Sequence, residues 1–287
     1  MSTATPLSGK ELAAAIRTSA ADRAAHLTAA GRTPKLTVVT ATDDPSSAWY
    51  VRSIAKAATK AGIVCDIADL RPDSTPDAIR ATLEKLSADD GVHGIILQTP
   101  LPAGAALEDL ASAIAFAKDV DGANPLSLGR LAAGLPAFAP ATAQAVVALL
   151  DHHGVELAGR HVTVIGRSNV VGKPAAHLLL ARNATVTVCH SRTADLSAIT
   201  SRADIVVAAV GRAGLVTAEH VRPGAVVIDV GTNPTEDGGL TGDVDAASVT
   251  PLAAALTPVP GGVGPVTTAL LLDHTVRAAS EEATTPS

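Results

Sequence analysis

His161-Val-Thr-Val-Ile-Gly-Arg-Ser-Asn-Val-Val-Gly-Lys-Pro174 is the stretch from which the rest of the chain can be read. Val162 to Ile165 are uncharged and all β-branched, the composition of a strand buried in a parallel sheet. The run stops at Gly166. Gly172-Lys173-Pro174 then opens a helix, with Pro in the first turn where a missing N–H costs nothing. Strand, glycine turn and helix together offer free backbone N–H groups and a positive helix end to a phosphate. The spacing is not GxGxxG: only Gly166 and Gly172 are glycines, and Arg167 and Ser168 lie between them. Such a junction also occurs as plain architecture, so the next strand carries the distinction.

That strand is Ala184-Thr-Val-Thr-Val-Cys189, followed by His190-Ser191-Arg192-Thr193. In a dinucleotide fold the end of the second strand holds the group that reads the adenosine ribose, and an acid there accepts from the free hydroxyls of NAD. Here no acid is present. His190, Ser191 and Arg192 supply donors and positive charge, to which Arg167 adds, and this suits the extra phosphate of NADP. The alternative for Arg192 is a solvated loop charge.

The 287 residues suffice for two domains of ordinary size. Hydrophobic residues make up 47% but aromatics only 1%, so the core is aliphatic and each aromatic position is informative. A net charge of −6 with scattered basic residues argues against a nucleic-acid partner. Cys65 and Cys189 sit in strand-like runs without CxxC or histidine at metal spacing, and read as buried thiols in a reducing compartment. Lys10 and Glu11 fall where a signal peptide needs an apolar run, and no apolar segment is long enough to span a bilayer. The expectation is a cytoplasmic protein with no metal and no membrane partner.

Along the chain, residues 8–31 read as a helix with a capping box at Ser8-Gly-Lys-Glu11 and an apolar side at Leu12, Ile16 and Leu27. Strands at Lys35–Thr40, Ile63–Ile67 and Gly94–Leu97 alternate with a helix opened by the turn Asp43-Asp-Pro-Ser-Ser and running through Trp49 and Tyr50 to about Ala61, and with one near Pro76 to Ala88. Such alternation predicts a first α/β domain with a parallel sheet. A helix over Leu107–Ala115, the polar loop Lys118-Asp-Val-Asp-Gly122 and a helix ending before Gly154 lead into the second α/β unit. There Asp204–Val210 and Ala225–Val230 each empty into a glycine turn, lining the rim where open parallel sheets bind ligands. The loop Leu256–Pro265 precedes an apolar helix from Val266 to about Ala279 and a small polar tail expected to fray. The fold class is α/β: two α/β domains, the C-terminal one a Rossmann-like dinucleotide-binding domain. The expected boundaries are 1–145, completed by a C-terminal helix over 266–287, and 146–265.

With these pieces in place, the chain resembles the bifunctional methylenetetrahydrofolate dehydrogenase/cyclohydrolase family over nearly its whole length. The carrying stretches are Tyr50-Val51, Gly94–Pro102, Lys118–Gly122, Gly166–Pro174, Val188–Ser191, Gly242–Asp245 and Thr257–Pro265. The resemblance implies an N-terminal folate domain, a C-terminal NADP domain, a cleft between them, and a homodimer. It implies hydride transfer from methylene-tetrahydrofolate to NADP, followed by water addition to the methenyl cation to give formyl-tetrahydrofolate. Gly166, Arg167 and Ser168 match the family's cofactor loop, Ser191 a position near the ribose phosphate, and Thr232 the place beside the nicotinamide usually held by Ile. Tyr50 matches the aromatic over the reacting rings, Gln98 a folate-site position, and Asp121 the carboxylate that holds the pterin; these three are the expected catalytic and substrate-binding residues. Gly261, Gly262 and Pro265 match the loop closing the folate side.

The pattern breaks at Ile54, where the family has a catalytic lysine four residues after the tyrosine. A lysine in such a site polarises the one-carbon unit and handles protons; isoleucine does neither. Lys56 lies two residues beyond, about 200° around a helix, and Arg52 fails by the same geometry. Ser53 lies on the right face but is short and not a base. A local register shift is what Lys56 would need. Pro140-Ala-Thr-Ala143 replaces the family's Pro-Cys-Thr-Pro, and Ala123 a bulky apolar residue. The sequence therefore leaves three readings: a dehydrogenase with weak or absent cyclohydrolase activity, an NADP enzyme for a related one-carbon or imine substrate, and a non-catalytic folate- or NADP-binding paralogue.

Overall fold

The computed structural model describes residues 3–235 and 237–280. The chain divides into two compact units, one of residues up to Ala13 with Thr142–Thr267, the other of Ala14–Ala141 with the chain from Thr268 onward. In chain order the first elements are β1 (Thr5–Pro6), α1 (Lys10–Ala29), β2 (Lys35–Thr40), α2 (Pro45–Lys60), β3 (Val64–Asp69), α3 (Pro76–Ala88), β4 (Gly94–Leu97), α4 (Leu107–Ala111) and α5 (Pro125–Ala132). There follow α6 (Ala141–His152), β5 (His161–Ile165), α7 (Gly172–Ala181), β6 (Thr185–Cys189), α8 (Leu196–Thr200), β7 (Ile205–Ala208), β8 (Val226–Asp229), β9 (Asn233–Pro234), β10 (Leu240–Thr241), α9 (Ala246–Val249), β11 (Ala255–Leu256) and α10 (Val263–Ala279).

The unit holding α2 to α5 is built on a three-stranded parallel sheet in the order β3-β2-β4. β4 is buried throughout and β2 nearly so, which is what their continuous apolar runs require. β3 is an edge strand, and Val64 and Ile67 are exposed on it. Cys65 on this edge is half-buried, a correction to the expected buried thiol, whereas Cys189 at the end of β6 is buried. Thr75 and Asp44 cap α3 and α2, each followed by Pro at the first helical position, so side-chain oxygens meet N–H groups that the helices leave open.

The other unit carries a six-stranded parallel sheet in the order β1-β11-β8-β7-β5-β6 and a short antiparallel pair β9-β10. Strand order reverses at β5, which is flanked by β6 on one side and β7 on the other. In open α/β sheets this switch point is where ligands bind.

Three further expectations are corrected. β1 pairs with β11, so residues that sequence placed in the first domain belong to the second sheet. The buried stripe of α1 is Ala13, Ala20 and Ala24, with Leu12, Ile16 and Leu27 only half-buried. α10 begins at Val263 and not Val266, which places Pro265 inside its first turn, where proline is tolerated. The frayed tail expected from sequence lies beyond Ser280, outside the described residues.

Candidate functional site

On the folate-matching side, α2 presents two opposite faces. Ser47, Val51, Ile54 and Ala58 form its buried stripe, and Ile54 has 0% of its surface exposed. Arg52 and Lys56 are exposed, and the helix runs unbroken through both. No register shift brings Lys56 round. Tyr50, four residues before Ile54, is partly buried, and its phenol hydrogen-bonds the Thr268 side chain. Burial, then the charge of Asp121, push its pKa upward, and the Thr268 contact partly offsets this.

Asp121 therefore lies within electrostatic reach of Tyr50. Its carboxyl is pushed up to about 7, first by burial and then by repulsion from Asp119, against a backbone hydrogen bond from Ala141. Asp119 is wholly buried and accepts from Ser127 Oγ at 2.5 Å, Ala123 N at 2.9 Å and Asn124 N at 3.0 Å. These bonds fold the chain back on itself, and Asn124 then caps α5 through Leu126 N. Gly122 completes the turn at φ +61°; a Cβ there would come within 2.5 Å of Pro140 N. The Asp-Gly pair is thus turn chemistry and at the same time the mount for Asp121. Gln98 follows β4 and donates from Nε2 to Thr99 O at 2.6 Å, while Ser47 Oγ reaches the same carbonyl at 3.4 Å.

On the nucleotide-matching side, Gly166 ends β5 with φ +133°, and a Cβ would lie 2.2 Å from Ala209 O at the end of β7. Gly172 is equally constrained, since a Cβ would lie 2.2 Å from Gly166 O. Both glycines are needed because the backbone closes tightly at the switch point. Between them Arg167 and Ser168 are exposed. Ser168 Oγ accepts from Val171 N at 3.1 Å and Gly172 N at 3.4 Å, which leaves its O–H free to donate outward. Past β6, Ser191 and Arg192 are exposed on a turn held by Thr193 Oγ1 and by His190 Nδ1, which accepts from Arg192 N at 3.1 Å. The acid-free strand end, the exposed cations and the turn closed by Gly166 and Gly172 fit a dinucleotide with an extra phosphate.

Two buried carboxylates that sequence reasoning did not single out hold the remaining rim loops. Asp243, 0% exposed, accepts from Val210 N, Gly211 N, Arg212 N and Asn233 Nδ2 at 2.6–2.9 Å. Asp229 accepts from Gly231 N, Asp243 N and Val244 N at 2.9–3.0 Å. Burial pushes the Asp229 carboxyl upward, and these three N–H donors oppose it. Thr232 is exposed on the loop so fixed. Gly261 has φ +113°, and a Cβ on Gly262 would come within 2.8 Å of Pro258 O, so the loop before α10 is also closed around glycine backbone. The signal for Asp243 was present in Gly242-Asp-Val-Asp245; its backbone partners are more than thirty residues upstream and invisible to local pattern.

No helix of the described residues is long and apolar enough to cross a membrane, and no group of three or more His, Cys, Asp or Glu among them could hold a metal ion. Residues 140–283 match the tetrahydrofolate dehydrogenase/cyclohydrolase NAD(P)-binding domain, and residues 7–121 match the catalytic domain of the same name. The chain is 68% identical over 274 residues to the bifunctional protein FolD 1 of Saccharopolyspora erythraea, an alignment covering 96% of this chain and 94% of that one. It superposes on the bifunctional methylenetetrahydrofolate dehydrogenase/cyclohydrolase of Campylobacter jejuni with a TM-score of 0.93 at 40% identity, covering 97% and 99% of the two chains. The Trypanosoma brucei enzyme, solved with NADP cofactor and an inhibitor, gives 0.93 at 37% identity, covering 98% and 99%. The chain belongs to the tetrahydrofolate dehydrogenase/cyclohydrolase family.

Proposed function

We infer that this protein catalyses the NADP-dependent oxidation of methylene-tetrahydrofolate to methenyl-tetrahydrofolate, and that its cyclohydrolase step is weak or lost. The observation that carries the second half is Ile54, wholly buried one helical turn from Tyr50, with both neighbouring cations of α2 turned to solvent. An isoleucine taken out of water contributes about 1.5–3 kcal/mol to folding and nothing to proton transfer.

In this reading Asp121 accepts from the pterin N–H groups, the Tyr50 ring covers the reacting rings, and the Gln98 amide lies at the one-carbon bridge. Gly261, Gly262 and Pro265 close the folate side. Gly166, Arg167, Ser168, Ser191 and Thr232 hold the dinucleotide. NADP, when bound, supplies the hydride acceptor. The chain's own groups then need only align substrate against it, because hydride transfer depends mainly on positioning. Water addition also requires a proton to be removed and redistributed, and position 54 offers no group for that. The two halves of the sequence play these roles as a folate-holding domain and an NADP-holding domain, in a cytoplasmic homodimer with no nucleic-acid partner. Sedimentation at the monomer mass would remove the dimer from the reading.

The test is a pair of assays on one preparation: NADP reduction with methylene-tetrahydrofolate, and decay of methenyl-tetrahydrofolate absorbance. Reduction without accelerated decay is expected. Fast decay would overturn the loss of hydrolysis, and silence in both with NADP still bound would point to another substrate or a non-catalytic role. Arg167→Ala is expected to raise the Kd for NADP about tenfold, with NAD changed less than about twofold, since a charge-assisted bond to the extra phosphate is lost. Equal weakening of both dinucleotides would remove Arg167 from that role.

A further inference from the structure

We propose that His274 is a positioning residue for Asp121, holding the turn that carries this carboxylate through a hydrogen bond from its imidazole Nδ1 to the Val120 carbonyl. The proposal rests on the role given to Asp121 above. His274 lies on the part of α10 that belongs to the same compact unit as Asp121. Its ring has 0% exposure, and Nδ1 stands 2.7 Å from Val120 O. A carbonyl oxygen can only accept, so the proton sits on Nδ1 and the contact fixes the tautomer. Burial holds the imidazole down to about 4. The donor is therefore a neutral ring over the ordinary pH range, and the bond persists without switching.

Val120 stands between Asp119 and Asp121, so this bond holds the turn at a second point beside the Asp119 network. Neighbouring contacts repeat the pattern. The Phe138 ring packs 4.9 Å from the His274 ring, and Phe138 O lies 2.7 Å from where a Gly122 Cβ would stand. Thr275 Oγ1 and Val120 Cγ1 lie 2.9 and 3.0 Å from where a Gly94 Cβ would stand, at the start of the strand that delivers Gln98. Ile95 of that strand bridges to Asp119. One turn of α10 therefore backs both arms of the folate side, the turn bearing Asp121 and the strand bearing Gln98.

Asparagine provides the discriminating variant, because its Nδ2 is attached to Cγ just as histidine Nδ1 is and can donate to the same carbonyl. In the full-length protein His274→Ala is expected to raise the KM for methylene-tetrahydrofolate about tenfold, with kcat and the Kd for NADP within about twofold. Backbone amides of residues 119–124 should exchange hydrogen about tenfold faster without any ligand. His274→Asn should restore both. An alanine variant with the parent's KM and the parent's exchange would overturn the proposal, as would an asparagine variant that fails equally and loses NADP. If the parent turns over no methylene-tetrahydrofolate, the functional reading fails separately. The exchange measurement then decides this proposal by itself.

Discussion

Ile54→Lys is expected to accelerate the decay of methenyl-tetrahydrofolate about 100-fold over the parent, the lower end of what a positioned acid–base group contributes. The position is four residues from Tyr50 on a continuous helix, so the two side chains share a face. Ile54 is fully buried, and a lysine there enters an apolar setting that lowers its pKa and favours the neutral amine a general base needs. The same setting makes the variant less stable, by about 1–3 kcal/mol, because a longer chain must fit where isoleucine is packed. Loss of melting temperature together with gain of hydrolysis is the expected signature. NADP reduction should persist in both proteins. A parent that already hydrolyses as fast as the variant would show that proton handling lies elsewhere, and the exposed Lys56 would not be the answer, since it points away from Tyr50.

The contrast between α2 and the carboxylate networks shows what a sequence makes legible. The exclusion of Lys56 and Arg52 needed only helical rotation, and both are exposed. The Gly166 and Gly172 junction was likewise local, a strand run stopped by glycine and restarted by a helix. What escaped were partnerships across long separations. Asp243 gathers N–H groups from residues 210–212, and β1 pairs with β11 about 250 residues away. His274 is a lone histidine in an apolar helix, a pattern that marks a buried site without naming its partner; the partner, Val120 O, is 154 residues distant. α10 starts three residues ahead of the expected Val266 because Gly261 to Pro265 reads as loop chemistry. Yet Gly264 and Pro265 are compatible with the open N–H positions of a first helical turn.

Asp121→Asn is expected to lower kcat/KM for methylene-tetrahydrofolate about 100-fold, since a charged acceptor of N–H donors is replaced by a neutral amide that can present only one oxygen. The same substitution should stabilise the protein in a pH-dependent way. The Asp121 carboxyl is raised from 3.8 to about 7, with burial the larger cause and Asp119 the second. A group raised in the folded state binds its proton more tightly there than in the unfolded chain. Its contribution is therefore fully present below about 3.8 and is lost as pH rises through about 7. Asparagine carries no charge at either end of that window. The variant's melting temperature should match the parent's near the bottom of the window and exceed it at pH 8. In turnover the parent's kcat/KM should fall as pH drops below about 7 and the carboxylate takes up its proton, while the variant's residual activity stays flat there. Tyr50 adds an independent readout. Asp121 is the second cause of its upward shift, so its phenol should ionise at lower pH in the variant. A stability difference that is constant from pH 4 to 8, or a parent profile with no inflection near 7, would mean that Asp121 is already ionised in the folded protein. The stabilisation expected of asparagine would then disappear, while the 100-fold loss would remain the measure of its hold on the substrate.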